Sequence, residues 1–425
     1  MTGPLWEALP DGWGAGQVKH AATITLGKML QGKDSGSDTR APYMRAANVQ
    51  PDGVLALENV NEMWFGEGEL EQLSIRAGDV VVVEGGQGGF GRAAYIDQDV
   101  SGWGFQNSIN RLRPLGEFDG RFIAFYLIAL RASGFIRAYS NVVSMPHLTA
   151  EKLARIPIPL PPTEVQRGIA DYLDRETAKI DTLIDEQQLL IEMLDERRDG
   201  VIAEAATKGV SPEVALVDSG VEWLGDIPEG WSVKALRRCG TLLTGSTPPT
   251  DNRSNFAEEP NERPWVRPQD LSSETRASAW LTADGWSKLR PVPAGSVLVG
   301  CIAYSLGSVG YLPVAATTNQ QITCIIPAEE GRYLYYVMRA AKSELWAASQ
   351  MNRVPILNNQ RLGAIRVPVP PVEEQRLIAA YLDEQTEKIE RLKVEAERFI
   401  ELARERRSAL ITAAVTGQID VREGA

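Results

Sequence analysis

The chain has 425 residues, with 44 Lys and Arg against 56 Asp and Glu, giving a net charge of −12 and a pI near 5.0. Hydrophobic (44%) and charged (24%) fractions are ordinary, which excludes disordered and fibrous classes, and the length predicts two to four domains with cores of their own. Two His and three widely spaced cysteines (Cys239, Cys301 and Cys324) supply neither a zinc ligand set nor a disulfide framework, so no metal site is expected.

In chain order, the opening MTGPLWEALPDGW lacks the basic-then-apolar pattern of a signal peptide, and a cytoplasmic protein is expected. Residues 1–155 form a first mixed globular domain of short β-branched runs, such as VVVV at 80–83, punctuated by Gly, Pro and Asn. A helical pattern around 120–138 holds the longest apolar run, Phe122–Leu130, which is too short to cross a bilayer. IPIPLPP at 156–162 cannot be helical, because proline lacks a donor and extends its predecessor; it predicts an extended lead-in ending at a helix start. A long helical region follows, to residue 210. Residues 211–364 repeat the globular pattern, with SVLVG at 296–300 and helical periodicity around 331–348. IRVPVPP then leads into a second helical region over 365–425.

These halves are copies. Residues 156–207 and 365–416 align without a gap at about half identity, too long and too close for chance in a helical composition. Upstream, Tyr43-Met44-Arg45 recurs as Trp265-Val266-Arg267, Ala77-Gly78-Asp79-Val80 as Ala294-Gly295-Ser296-Val297, and Pro10-Asp11-Gly12-Trp13 as Pro228-Glu229-Gly230-Trp231. The unit of roughly 210 residues is far longer than a solenoid repeat. In the helices, Leu173, Ile180, Leu183, Leu190, Leu194 and Val201 predict a heptad seam, matched by Leu382, Ile389, Leu392, Phe399, Ala403 and Leu410. One narrow stripe on a helix of ~60 Å needs a partner, so the two helices are expected to pair as a coiled coil, parallel or antiparallel. The predicted fold class is α+β: two mixed globular domains in tandem, each followed by a long helix.

Searches for catalytic chemistry find nothing that holds. Gly27–Asp34 fits a phosphate-binding loop except at its end, where Asp replaces the hydroxyl that would hold magnesium. Gly86-Gln87-Gly88-Gly89-Phe90-Gly91 has dinucleotide-loop spacing, but a strand-like segment follows it where a helix is required, so a hairpin tip is expected. An adenine-methyltransferase Pro-Pro motif, a nuclease carboxylate cluster and a G-x-S-x-G elbow are all absent, and no enzyme is expected.

IPLPPTEVQRGIADYLD, VPVPPVEEQRLIAAYLD, DSGVEWLGDIPEGW and VTGQIDVRE resemble the helical regions, domain opening and closing segment of specificity subunits of Type I restriction–modification systems. The resemblance covers essentially the whole chain. It implies two target-recognition domains (1–155 and 211–364) and two conserved helical spacers (156–210 and 365–425). It also implies a non-catalytic subunit that reads a bipartite asymmetric site in double-stranded DNA, one half per domain, with the helices setting the gap. By the same resemblance, the helices dock two modification (methyltransferase) subunits, and restriction (motor/nuclease) subunits join them. S-adenosylmethionine, ATP and Mg are then expected on those partners and none on this chain. Two rival readings remain: the recognition subunit of a system with a fused nuclease–methyltransferase partner, and a coiled-coil adaptor whose heads bind proteins.

Charge sorted by region suits DNA better than the total does. Residues 1–155 hold 14 basic and 17 acidic groups and 211–364 hold 14 and 15, whereas 156–210 alone hold 6 and 12. The near-neutral globular halves are rich in Arg, the residue fitted to guanine and phosphate. Polar residues on irregular segments are the DNA-contact candidates: Lys33, Arg40, Gln87, Arg92 and Asn107 in the first half, and Arg253, Arg263, Tyr304, Asn319, Gln320 and Arg353 in the second. Arg45 and Arg267 recur, which suits a shared framework or phosphate contact better than base discrimination. Arg197, Arg198, Arg406 and Arg407 recur on the helices as candidates for partner docking.

Overall fold

The computed structural model describes residues 2–86, 89–140, 147–211, 213–350 and 354–421. The chain divides into two compact units, one made of residues 1–187 with 398–425 and the other of residues 188–397.

In the first unit the strands are β1 (Gly14–Gln17), β2 (Ala22–Leu26), β3 (Thr39–Met44), β4 (Asn61–Phe65), β5 (Val80–Val83), β6 (Ala93–Tyr95), β7 (Gly104–Phe105), β8 (Ile109–Pro114) and β9 (Pro157–Leu160). Short helices α1 (Glu69–Gln72), α2 (Gly120–Ala132), α3 (Phe135–Tyr139) and α4 (Ala150–Ala154) precede α5 (Thr163–Lys208), which continues into the second unit. An antiparallel sheet of order β2-β8-β5-β6 lies beside a small sheet β4-β3-β7, and β9, the proline-rich lead-in, pairs with β1. The run VVVV is buried on both faces, as a central strand without polar alternation must be. Val80 and Val82 meet the α2 side chains, while Val81 and Val83 pack with Met44, Val49 and Phe105.

The second unit repeats this plan with β10 (Leu216–Asp218), β11 (Asp226–Pro228), β12 (Ser232–Ala235), β13 (Gly240–Thr244), β14 (Phe256–Ala257), β15 (Trp265–Val266), β16 (Trp280–Leu281), β17 (Val297–Gly300), β18 (Val309–Tyr311), β19 (Thr317–Thr318), β20 (Ile322–Pro327) and β21 (Arg366–Val369). Its helices are α6 (Ala283–Ser287), α7 (Gly331–Ala340), α8 (Lys342–Ala347), α9 (Asn359–Ala364) and the start of α10 (Val372–Val415). The sheet order β13-β20-β17-β18 matches that of the first unit, as do the pairs β15-β19 and β12-β21.

The repeated Gln of the two helix entrances has a structural task. Gln166 donates to Pro161 O (2.8 Å) and accepts from the Asp119 amide (3.0 Å) at the start of α2. Gln375 does the same with Pro370 O (2.9 Å) and the Glu330 amide (3.3 Å) at the start of α7. A buried amide satisfied at both ends fixes each long helix to its globular part.

Helix direction, open in the sequence, is antiparallel in each unit. In the first, Ile169 and Leu173 share a core with Ile411, Ala414 and Val415, and Asp181 pairs with Arg407 at 2.8 Å. In the second, Ile202, Ala205 and Ala206 share a core with Ile378, Ala379 and Leu382, and Asp195 pairs with Lys393 at 2.8 Å.

The seam itself differs from the apolar spacing. Leu183 (43% exposed), Leu190 (39%), Leu392 (50%) and Phe399 (42%) lie off it. The buried positions include polar ones, Thr177 on α5 and Arg407 on α10. They are tolerated because each finds a partner: Thr177 Oγ1 donates to Leu173 O (2.7 Å), and Arg407 pairs with Asp181.

Candidate nucleic-acid interface

In each unit three chain segments meet at one crossing. β3 and β7 run parallel, with Tyr43 beside Gly104 and Met44 beside Phe105; β15 and β19 repeat this with Trp265 beside Thr317 and Val266 beside Thr318. Parallel strands end on the same side, so the residues that follow them emerge together. After one strand come Arg45 and Arg267. After the other come Gln106-Asn107 and Asn319-Gln320, stitched back by Gln106 N–H to Met44 O (2.9 Å) and Asn319 N–H to Val266 O (3.0 Å).

The third segment leaves β2 or β13. The Gly27 amide donates to Ile109 O and the Gly245 amide to Ile322 O, both at 3.0 Å. Only glycine fits there: a Cβ on Gly27 would stand 2.2 Å from Gln106 O, and one on Gly245 would stand 2.2 Å from Asn319 O.

Both arginines are set at their backbone. Arg45 N–H donates to Asn48 Oδ1 (3.0 Å) and Arg267 N–H to Asp270 Oδ2 (2.8 Å), each at the start of a 3-10 turn. Arg267 Nη2 also reaches Ser278 Oγ at 2.6 Å. In both, Nε is buried without a hydrogen-bond partner.

A second loop adjoins the crossing. Glu84 N–H donates to Ser108 O (2.8 Å) and Cys301 N–H to Gln321 O (2.9 Å), so the loops after β5 and β17 leave from the same ladder. On the second of these Tyr304 is 77% exposed, and Ala303 beside it has φ +53°. Positive φ at a residue with a Cβ is strained, and such strain concentrates at working sites.

The crossing of the first unit thus gathers Arg45 and Asn107, and that of the second gathers Arg267, Asn319 and Gln320, with Tyr304 adjoining. Gln320 Oε1 accepts from Thr247 Oγ1, and Asn319 Oδ1 accepts from the Gln321 amide (3.0 Å). Lys33 stands on an exposed loop and Arg253, also exposed, at the start of a 3-10 turn. Arg40 pairs with Glu62 at 2.9 Å and Arg263 with Glu262 at 2.6 Å. Gln87 and Arg353 lie outside the described residues. Arg92 is not brought to the crossing: its Nη1 donates to Val49 O (3.3 Å), and it lines a cavity with Arg131, Arg404 and Arg407.

On the helices, Arg197 and Arg406 are exposed, and Arg198 pairs with Asp195 at 2.8 Å. Arg407 corrects the sequence expectation. It is buried, bonded to Asp181 Oδ1 (2.8 Å) and Asp52 O (3.1 Å), so it holds the first unit together and offers no docking surface.

Gly245, Gln106, Ser108 and Gln321 were not among the residues singled out in the sequence, and Gly27 was noted only within a phosphate-loop spacing. Their signal was recurrence at matching places in the diverged globular halves, visible only once strand register aligns them.

Burial pushes all three cysteine thiols up, Cys324 to about 11. Among the described residues, no group of three or more His, Cys, Asp or Glu could hold a metal ion, and no helix is long and apolar enough to cross a membrane.

A family model for the Type I restriction modification DNA specificity domain matches residues 10–192 and 228–398. The chain belongs to this specificity family. Among its relatives, the MjaIX specificity subunit of Methanocaldococcus jannaschii is 31% identical over 188 residues, which are 41% of this chain and 42% of the relative. The EcoR124I/EcoR124II specificity subunit of Escherichia coli is 25% identical over 245 residues, 54% of this chain and 55% of the relative. This specificity-family chain therefore spans about half the length of these curated relatives.

The fold is shared more widely. A chain from a solved type I R-M system, studied for its assembly and conformational transition, is 20% identical with a TM-score of 0.71, covering 97% of this chain and all of that one. The HsdS subunit from Thermoanaerobacter tengcongensis is 20% identical with a TM-score of 0.53, covering 97% and 98%.

Proposed function

We propose that this chain is the non-catalytic DNA-reading subunit of a Type I restriction–modification complex, each unit reading one half of a bipartite asymmetric site. The observation that carries this is the twice-built crossing. Its frame is the same in both units, while the side chains at its tip differ, Gln106-Asn107 against Asn319-Gln320. A shared frame with different amides suits two readers of different sequences, since Asn and Gln side chains pair with adenine edges. Arg45 and Arg267 serve as phosphate contacts, and Lys33, Arg40, Arg253, Arg263 and Tyr304 are further candidates for contact with the duplex.

The helices set the gap between half-sites and dock two modification subunits. Leu189, Leu190 and Met193 on α5, all exposed in the second unit, supply apolar surface on the helix that carries Arg197 for that contact. Restriction subunits complete the assembly in the cytoplasm, and S-adenosylmethionine, ATP and Mg are held by the partners.

The test is methylome sequencing of a host with the intact system. A bipartite methyl-adenine motif that disappears when this gene is deleted is the expected outcome; a motif that persists rejects the reading.

A further inference from the structure

Arg92 lines a cavity outside the crossing residues described above. It lies within the first unit, between the end of α2, the loop before β6 and the last turns of α10, and has a volume of about 60 Å³. Four arginines (Arg92, Arg131, Arg404 and Arg407) line it against one carboxylate, Asp52. Arg407 is already matched by Asp181. Arg131 Nε donates to Phe90 O (3.1 Å), and burial and the neighbouring Arg92 hold its guanidinium below its ordinary pKa. Arg92 and Arg404 have no ion-pair partner among the described residues; Arg404 is exposed, and Arg92 Nε is buried without a hydrogen bond. Like charges gathered around a partly buried space are costly unless an anion joins them.

The duplication supplies an internal control. Strand and helix register places Ser308 where Arg92 stands, Lys342 for Arg131, Asp195 for Arg404, Arg198 for Arg407 and Glu274 for Asp52. The same five positions are therefore balanced in the second unit and strongly positive in the first. The excess positive charge belongs to one copy alone and is no requirement of the shared fold.

We propose that this cavity binds a tetrahedral oxyanion of the phosphate or sulfate type. Guanidinium forks match such oxygens in pairs. The volume is several times the ~15 Å³ needed by one water and far below the ~300 Å³ of a nucleotide-sized pocket. The site rests on the cavity and its arginines alone, whatever the chain reads. The oxyanion is either a free ion or a phosphate of a nucleic-acid backbone.

The test uses the full chain at constant ionic strength, with inorganic phosphate exchanged for chloride, followed by calorimetry and thermal unfolding. Saturable phosphate binding is expected, weakened at least fivefold by Arg92→Gln and by Arg131→Gln and unchanged by Lys342→Gln in the second unit. Equal melting of the variants in chloride shows that they fold. A non-specific duplex that displaces phosphate, with a salt slope about one smaller in Arg92→Gln, identifies a backbone phosphate as the source. Phosphate and duplex binding together identifies a free ion. No phosphate binding together with an unaltered salt slope overturns the proposal, as does equal phosphate binding by wild type and both first-unit variants.

Discussion

At Gly245 a single hydrogen decides whether three segments can cross. Gly245→Ala places a methyl 2.2 Å from Asn319 O, a backbone atom that cannot move without displacing the Asn319-Gln320 tip. We expect at least a tenfold fall in methylation of cognate DNA by the assembled complex, with little loss of co-purification. Intact methylation would remove the crossing from the interface. Tyr304 separates stacking from hydrogen bonding: Tyr304→Ala is expected to lower DNA affinity about tenfold, while Tyr304→Phe keeps most of it. Equal binding by all three proteins would show that its exposure has no role. Residue roles were the least legible part of the sequence. Arg45 and Arg267 stood out by recurrence, but Arg92 and Arg407 looked like surface arginines because nothing in their local sequence shows which cavity they enter.

Among the elements, α5 and α10 carry an apolar excess larger than their seam can cover. Leu194 is 6% exposed and Leu190 39%, so the same change separates their roles. Leu194→Lys is expected to destabilise the isolated chain by about 3 kcal/mol in urea unfolding, since it buries an unpaired charge. Leu190→Lys should leave stability nearly unchanged and reduce capture by a modification subunit; the reverse pattern would restore the simple leucine seam. Heptad spacing read from the sequence found the pairing, yet chose Leu183 and Leu190 over Thr177, because local partners that make a polar seam residue tolerable are invisible in periodicity.

The Lys393–Asp195 pair gives the seam a pH signature. Its hydrogen bond to Lys393 holds the Asp195 carboxyl below the ordinary aspartate value of 3.8. A depressed carboxyl contributes stability above its unfolded pKa and loses it as pH falls through the folded value, so the loss lies below about pH 4. Lys393→Met should flatten the acid limb of stability below about pH 4 and lower stability near pH 7, because the contribution of the Lys393 hydrogen bond is removed where the carboxylate is charged. An acid limb as steep as wild type would assign the loss to other carboxylates.

For the whole molecule, the tandem arrangement and the two long helices were readable from the duplication alone, since repetition survives divergence that hides individual strands. That the first unit is discontinuous was not. Leu5, Trp6 and Leu9 pack in the same core as Ile411, Ala414, Val415 and Ile419, and a Cβ on Gly417 would lie 2.3 Å from Pro10. The two ends of the described chain are neighbours within one core, so the position of the covalent break is a free variable of this architecture. A circular permutant, closed by a flexible linker of about ten residues between residues 421 and 2 and reopened between Glu213 and Ala215, keeps every contact within each unit. It should melt within about 5 °C of the parent, and a collapse in melting temperature would show that chain order is itself part of what folds this protein.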